Sequence, residues 1–296
     1  MSSVFETSIL VFPGQGSQAV GMGKDLYDNN PDARAVFDEV DDALNQKLSD
    51  IIFNGPMEEL TLTANVQPAI MAVSIAMLRA SGVKLTKYVA GHSLGEYTAL
   101  CAAGALSVGD TARLLRLRGD AMQRAVPVGA GLTAVILGLD IEKVREICAQ
   151  TDCDVANDNS PGQVVVSGAR DIVEKTLELA KAAGAKRAMP LALSVPVHCR
   201  IQAPAADEMR NALEKIEIKA PQAILISNKT AMPMTDPVEI KDALVYQITH
   251  GVHWRESVLK MHELGITETI EVGPGAVLTG LTPRICSDMT SKKLEI

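Results

Sequence analysis

The first apolar run of the chain, Ile9-Leu10-Val11-Phe12, is cut off by Pro13-Gly14. Four consecutive apolar residues closed by a turn signal predict a buried strand that feeds a glycine-rich loop. Residues 24–48 are largely polar and helix-compatible, and read as continuous helix through Phe37-Asp38-Glu39-Val40. Residues 68–80 are apolar and predict a buried helix with Pro68 in its first turn. Tyr88-Val89-Ala90 predicts a second strand, followed at once by Gly91-His92-Ser93-Leu94-Gly95. Helices follow over 96–103 and 110–125. Strands alternating with helices in this way favour a mostly parallel sheet and an α/β class.

The pattern changes near Pro127-Val128-Gly129. A strand over 132–139 and a helix over 141–150 precede strands at 154–156 and 163–167, which a polar turn at 157–162 joins. A helix over 171–183 ends at Gly184, and a strand covers 186–191. The order β-α-β-β-α-β is that of a ferredoxin-like unit. Beyond Pro196 the chain returns to long helices and single apolar strands at 223–226 and 269–272. The expected organisation is a large α/β unit, residues 1–127 and 197–296, into which a small unit of residues 128–196 is inserted.

Composition narrows the function. With 28 Lys and Arg against 36 Asp and Glu the chain carries −8, and aromatic residues make up 3%. That argues against nucleic-acid binding, which needs clustered cations and stacking platforms. Five cysteines, odd in number and without a CxxC pair, suggest reduced thiols in a cytoplasmic protein. No zinc pattern is present, so no metal is expected. Residues 1–6 have neither a basic n-region nor a long apolar stretch, so no signal peptide is expected. No apolar run reaches the ~18 residues of a membrane span. Nothing in the sequence requires more than a monomer.

Three features carry candidate chemistry. Gly91-His92-Ser93-Leu94-Gly95 lies between a predicted strand and a predicted helix, the setting of a G-x-S-x-G nucleophile elbow. In such a turn Ser93 is lifted clear of the sheet, and the Leu94 N–H at the helix start can face a developing oxyanion. The plain alternative is a helix-capping serine. Of the five histidines, His92 should diverge from Ser93, and His262 should be solvated. His198, where the small unit rejoins the large one, is the favoured base, with His250 and His253 as lesser candidates. Gly14-Gln15-Gly16-Ser17-Gln18-Ala19 fits a loose dinucleotide pattern, but the helix that follows does not give way to the second strand such a site requires. The alternative places the Gln15 amide beside the nucleophile as an oxyanion donor. Arg118 lies on the apolar stripe Leu114, Leu117, Ala121, Ala125, while Arg113, Arg116, Asp120 and Arg124 take the solvated face. Its partner could be an internal carboxylate or a substrate carboxylate, or the side chain could snorkel to water.

Together these segments resemble the malonyl-CoA:acyl carrier protein transacylases. Gly14-Gln15-Gly16-Ser17-Gln18, Gly91-His92-Ser93-Leu94-Gly95-Glu96, Arg116-Leu117-Arg118-Gly119, Asn157-Asp158-Asn159-Ser160-Pro161-Gly162-Gln163, Pro196-Val197-His198 and Glu271-Val272-Gly273-Pro274-Gly275 follow that family's order. The resemblance implies an α/β-hydrolase-like large subdomain carrying a ferredoxin-like small one. It implies Ser93 as the acylated nucleophile, His198 as base, and Leu94 and Gln15 at the oxyanion hole. Arg118 would clamp the malonyl carboxylate, a main-chain carbonyl near Gln247 would orient the base, and Asn159 would lie close by. The implied substrates are malonyl-CoA and an acyl carrier protein, with no cofactor. Four positions depart from the family pattern: Val197 in place of phenylalanine, Gly251 in place of proline, His253 in place of arginine and Ala276 in place of lysine. The smaller Val197 would enlarge the acyl pocket. An acidic carrier would dock on a local basic patch, for which Lys181, Lys186, Arg187 and Arg200 are candidates. A serine hydrolase using the same elbow, a nucleotide-binding protein and a non-catalytic carrier-binding subunit remain as rivals.

Overall fold

The first apolar run forms strand β1 (Ser8–Phe12), buried along its whole length. In the computed structural model residues 6–296 are described; residues 1–5, where the sequence predicts no leader, lie outside them. Helices α1 (Lys24–Asn29), α2 (Pro31–Leu44), α3 (Leu48–Asn54), α4 (Met57–Thr61) and α5 (Thr63–Ser81) follow. The stretch expected as one helix is therefore broken twice. Asn30 is extended and caps α2 by accepting the Ala33 N–H, with Pro31 in the first turn, where its missing donor is harmless. Asn45, in the left-handed region at φ 47°, closes the same helix. Helix α5 begins at Thr63, ahead of the expected start, so Pro68 lies inside it rather than in its first turn. Near-continuous burial from Thr63 to Ala76 outweighs the hydrogen bond that proline removes.

Strand β2 (Tyr88–Gly91) lies parallel to β1, with Leu10 opposite Val89. It leads into α6 (Leu94–Ala102) and then α7 (Val108–Ala125), which Ser107 caps. The small sheet comes next: β3 (Gly131–Leu137), α8 (Ile141–Thr151), β4 (Asp154–Ser160), β5 (Gln163–Ala169), α9 (Arg170–Ala182) and β6 (Arg187–Pro190). Its strands are antiparallel in the order β4-β5-β3-β6, the ferredoxin-like arrangement. It has its own apolar core, including Ile136, Val144, Val164, Val173 and Leu177. The expected turn at 157–162 is mostly strand: β4 continues to Ser160 through two register shifts. Its polar residues are buried because they meet the large unit, where Asn157 bridges Val252 and the Asp158 N–H donates to the Val252 carbonyl at 3.2 Å.

The chain then adds α10 (Ala203–Glu214), β7 (Ile224–Ile226), β8 (Pro233–Met234), α11 (Pro237–Thr249), α12 (Trp254–Glu263), β9 (Glu268–Glu271), α13 (Val277–Ile285) and β10 (Thr290–Lys293). The large sheet runs β10-β9-β1-β2-β7-β8, parallel except for β8. Alternation along β1 serves both of its faces. Leu10 and Phe12 join the core of α2, α5 and α7, while Ile9 and Val11 join Trp254, Val258 and Leu281 on the other side. Strands β1, β2 and β7 are neighbours and end together, so the loops after them converge at one carboxyl edge. Among the described residues no helix is long and apolar enough to cross a membrane.

Candidate active site

Ser93 sits between β2 and α6 with φ 56° and ψ −113°, a conformation costly for a residue with a Cβ. The glycines around it are required by close approach. A Cβ on Gly91 would lie 1.9 Å from the Gly95 carbonyl, and one on Gly95 would lie 2.2 Å from the Phe12 oxygen. Asn228, just past β7, brackets the elbow: its Oδ1 accepts the Ser93 N–H at 2.8 Å and its Nδ2 donates to the Gly91 carbonyl at 2.6 Å. Leu94 opens α6, so its N–H has no intrahelical acceptor and sits at the positive end of the helix.

His198 Nε2 lies 2.8 Å from Ser93 Oγ. Its Nδ1 bonds to the Gln247 main-chain carbonyl. A carbonyl can only accept, so the proton sits on Nδ1 and Nε2 is left free to take the serine proton. Burial, reinforced by the Arg118 charge, lowers the His198 pKa to about 3. The loop that carries it is held by the small sheet: the Val197 N–H donates to Ser167 Oγ at 3.0 Å and Thr133 Oγ1 at 3.2 Å. His92 turns away, bonding Asn159 Oδ1 at 2.9 Å and packing on Trp254. His250 is stacked on Tyr246 at the surface, His253 lies 3.9 Å from Glu256, and His262 is exposed.

Arg118 is 2% exposed. Its Nη1 donates to Gln67 Oε1 at 2.6 Å, and its Nη2 donates to Gln247 Oε1 at 2.9 Å and Ser93 Oγ at 3.1 Å. Nε has no partner among the described residues. The side chain neither snorkels nor pairs directly with a carboxylate; neutral oxygens hold a full charge against the nucleophile. Gly119 makes this burial feasible, because a Cβ there would lie 2.5 Å from Ala64 Cα and Thr63 O of α5. Arg116 departs from expectation: it is half-buried and donates to Gln46 Oε1 at 2.7 Å. Arg113 and Arg124 are exposed in ion pairs.

These groups open on a cleft of about 400 Å³. Gln15, His92, Ser93, Arg118, Asn159 and His198 line one part of it, and Val165, Leu191, Val197 and Leu281 form an apolar wall. Gln15 Oε1 accepts from Thr63 Oγ1 at 3.4 Å, while its Nε2 is buried with no partner among the described residues. The loop after β1 opens no helix until Lys24, and the next strand is β2, so a dinucleotide fingerprint has no frame here. Of the candidate docking cations, Lys181, Lys186 and Arg187 are exposed, but Arg200 is occupied by Asp152 at 2.6 Å and Asp154 at 2.8 Å. Sequence reasoning missed Asn228 and Gln67. The polar pair Ser227-Asn228 after a short apolar strand was the available signal for Asn228; Gln67 sits inside an apolar run and gave none.

A strand-to-helix serine with a histidine base is the equipment of acyl transfer, and residues 9–292 match the acyl transferase domain family. The malonyl CoA-acyl carrier protein transacylase of Bacillus subtilis is 46% identical over 283 residues, 93% of this chain and 89% of that protein. The crystal structure of an acyl-carrier-protein-S-malonyltransferase from Bartonella henselae superposes with a TM-score of 0.95 at 49% identity, covering 98% of this chain and 95% of that one. A malonyl-transacylase solved in complex with a type II PKS acyl-carrier protein gives 0.94 at 42% identity, covering 97% and 96%. The chain belongs to the malonyl CoA-acyl carrier protein transacylase family.

Proposed function

We propose that this protein moves a malonyl group from malonyl-CoA to the phosphopantetheine thiol of an acyl carrier protein through an ester on Ser93, supplying chain extension in fatty-acid or polyketide synthesis. His198 takes the Ser93 proton as Oγ attacks the thioester carbon. The oxyanion faces the Leu94 N–H and the Gln15 amide, each such donor contributing about 10²–10³ in rate. His198 returns the proton to the CoA sulfur, and CoA leaves. The carrier thiol then repeats the sequence in reverse, taking the malonyl group and restoring Ser93. Arg118 receives the free malonyl carboxylate. Acetyl would leave that guanidinium without an anion in a dry pocket, which disfavours it. The chemistry calls for no cofactor, and one chain supplies every group, so a cytoplasmic monomer suffices. The division at 128–196 separates two roles. The large unit holds nucleophile, base and clamp, and the small one steadies the loop that bears the base.

One observation carries this reading. Ser93 Oγ accepts from Arg118 at 3.1 Å while it faces a neutral His198 at 2.8 Å, so base and anion clamp share one oxygen. The test is intact-protein mass spectrometry after brief mixing with malonyl-CoA or acetyl-CoA. A malonyl adduct on the wild type, absent from Ser93→Ala and weak with acetyl-CoA, is expected. In Arg118→Ala malonyl loading should fall roughly 10²-fold, the worth of a charge-assisted bond pair, and acetyl loading should gain relative to it. An unchanged malonyl-to-acetyl ratio removes the clamp. An adduct that water clears faster than holo-carrier replaces the transferase with a hydrolase.

A further inference from the structure

The proposed reaction leaves one buried acidic group beside the nucleophile unused. Glu96, the third residue of α6, is fully buried. Its Oε1 accepts the Asn228 N–H at 2.8 Å, and its Oε2 accepts a hydrogen bond from Gln247 Nε2 at 2.6 Å. The Ser227 hydroxyl also bonds to it. Both main contacts lead back to the reacting atoms. Asn228 holds the Ser93 N–H, and Gln247 holds His198 through its carbonyl and Arg118 through Oε1. An amide has one donor end and one acceptor end. With its NH₂ on the Glu96 carboxylate, Gln247 turns its oxygen to the guanidinium.

The charge count then becomes important. The titratable groups facing Glu96 are Tyr97 on its own helix and Arg118 from α7, with His198 beyond Gln247. Burial keeps the Tyr97 phenol and the His198 imidazole neutral near pH 7. With Glu96 ionised, the site holds one cation and one anion, separated by a single amide group. A malonyl carboxylate on Arg118 brings a second anion into the same dry interior. Two anions facing one cation disfavour joint ionisation. Glu96 is poised to respond, because burial has already raised its carboxyl to about 7.

We infer that Glu96 takes up a proton when a malonyl carboxylate seats on Arg118, so that loading of Ser93 is coupled to protonation of the residue that positions Asn228 and Gln247. The inference rests on the proposed malonyl clamp. Glu96 is then a positioning residue that keeps the net charge of the site constant; its added hydrogen turns to the Ser227 hydroxyl, which can accept, while the Asn228 N–H and Gln247 Nε2 keep donating to its oxygens. In the acyl step the hydrogen of Ser93 ends on the CoA sulfur as the ester forms and the thioester breaks, and the released thiol then ionises in part near pH 8, equally for malonyl-CoA and acetyl-CoA. A proton that leaves solution is therefore taken up by the protein. By linkage, seating of the carboxylate should weaken by up to about tenfold per pH unit once Glu96 is ionised.

The experiment mixes wild-type protein with malonyl-CoA or acetyl-CoA in weak buffer with an indicator dye, and counts adducts by mass in the same samples. Expected with malonyl-CoA is close to one proton per adduct at pH 8, about half at pH 7 and little at pH 6. These counts are net of the acetyl-CoA arm, which reads only the partial ionisation of the released CoA thiol and should show no uptake at any pH. Glu96→Gln should abolish uptake and flatten the loss of malonyl loading above pH 7; if that variant does not fold, the two-substrate comparison on the wild type decides alone. A malonyl adduct that forms selectively without proton uptake at pH 8 overturns the role of Glu96 and leaves the clamp standing. Equal malonyl and acetyl adducts with equal proton counts remove the clamp and this inference with it.

Discussion

In the proposed reaction His198 can act as a base because burial has denied it its proton. Burial and the Arg118 charge lower it to about 3, so the neutral imidazole persists well below neutral pH. An imidazole at its ordinary value near 6.5 would lose about tenfold in its basic form between pH 7.5 and 5.5. Single-turnover acylation of Ser93 by acetyl-CoA, whose acyl group is uncharged, should therefore change less than about twofold over that range. A tenfold fall centred near 6.5 would mean that the histidine is solvated in the working enzyme. The same environment explains why the base needs no acidic partner: a main-chain carbonyl fixes its tautomer without adding a charge that would draw the proton back.

Two helices make the burial of Arg118 possible, and their contact is tight. Gly119 of α7 meets Thr63 and Ala64 of α5 where a methyl group would overlap the backbone. Gly119→Ala should push the helices apart, cost about 2–3 kcal/mol of stability and displace the neighbouring guanidinium. Calorimetry should show a clear drop in Tm together with weaker malonyl selectivity; an unchanged Tm would mean that the helices separate freely. Elements of this kind were legible in the sequence wherever one face or one run was apolar. Strands β1 and β2, the elbow between β2 and α6, and the small-sheet order follow from period and punctuation. The stripe on α7 marked Arg118 as unusual but left open two carboxylate partners and an escape to water, because a helix face gives direction and not distance. The expected turn at 157–162 failed for a related reason. Asn157 and Asp158 look like turn residues, but the ladder with β5 continues through them, opposite Val165 and Val164, and Val252, far along the chain, bonds their outer edge. Asn228 was missed because its role depends on β7 lying beside β2.

At the scale of the molecule the cleft exists because two sheets meet, and the meeting is partly ionic. Asp158 in β4, the edge strand of the small sheet, pairs with Arg255 of α12 at 2.9 Å. Burial, followed by the charge of Glu256, raises the Asp158 carboxyl to about 6. Arg255→Ala would leave that carboxylate buried without its cation and should cost about 1–3 kcal/mol at pH 7.5. The folded pKa of Asp158 lies above its unfolded value, so the penalty should shrink as pH falls below 6 and the carboxyl protonates. Urea midpoints at pH 7.5 and 5.5 measure it; an equal penalty at both would place the effect outside Asp158. The hydroxyls of Thr133 and Ser167 tie the small sheet to the loop that carries His198. They are opposite one another across β3 and β5 and together grip the backbone just before His198. The inserted unit is thus no inert cassette. Recombination between distant relatives could replace it and still yield a folded chain, but only a donor carrying hydroxyls at both facing positions would return an active one. Shuffled libraries screened for folding alone should therefore be rich in well-made proteins that turn over slowly.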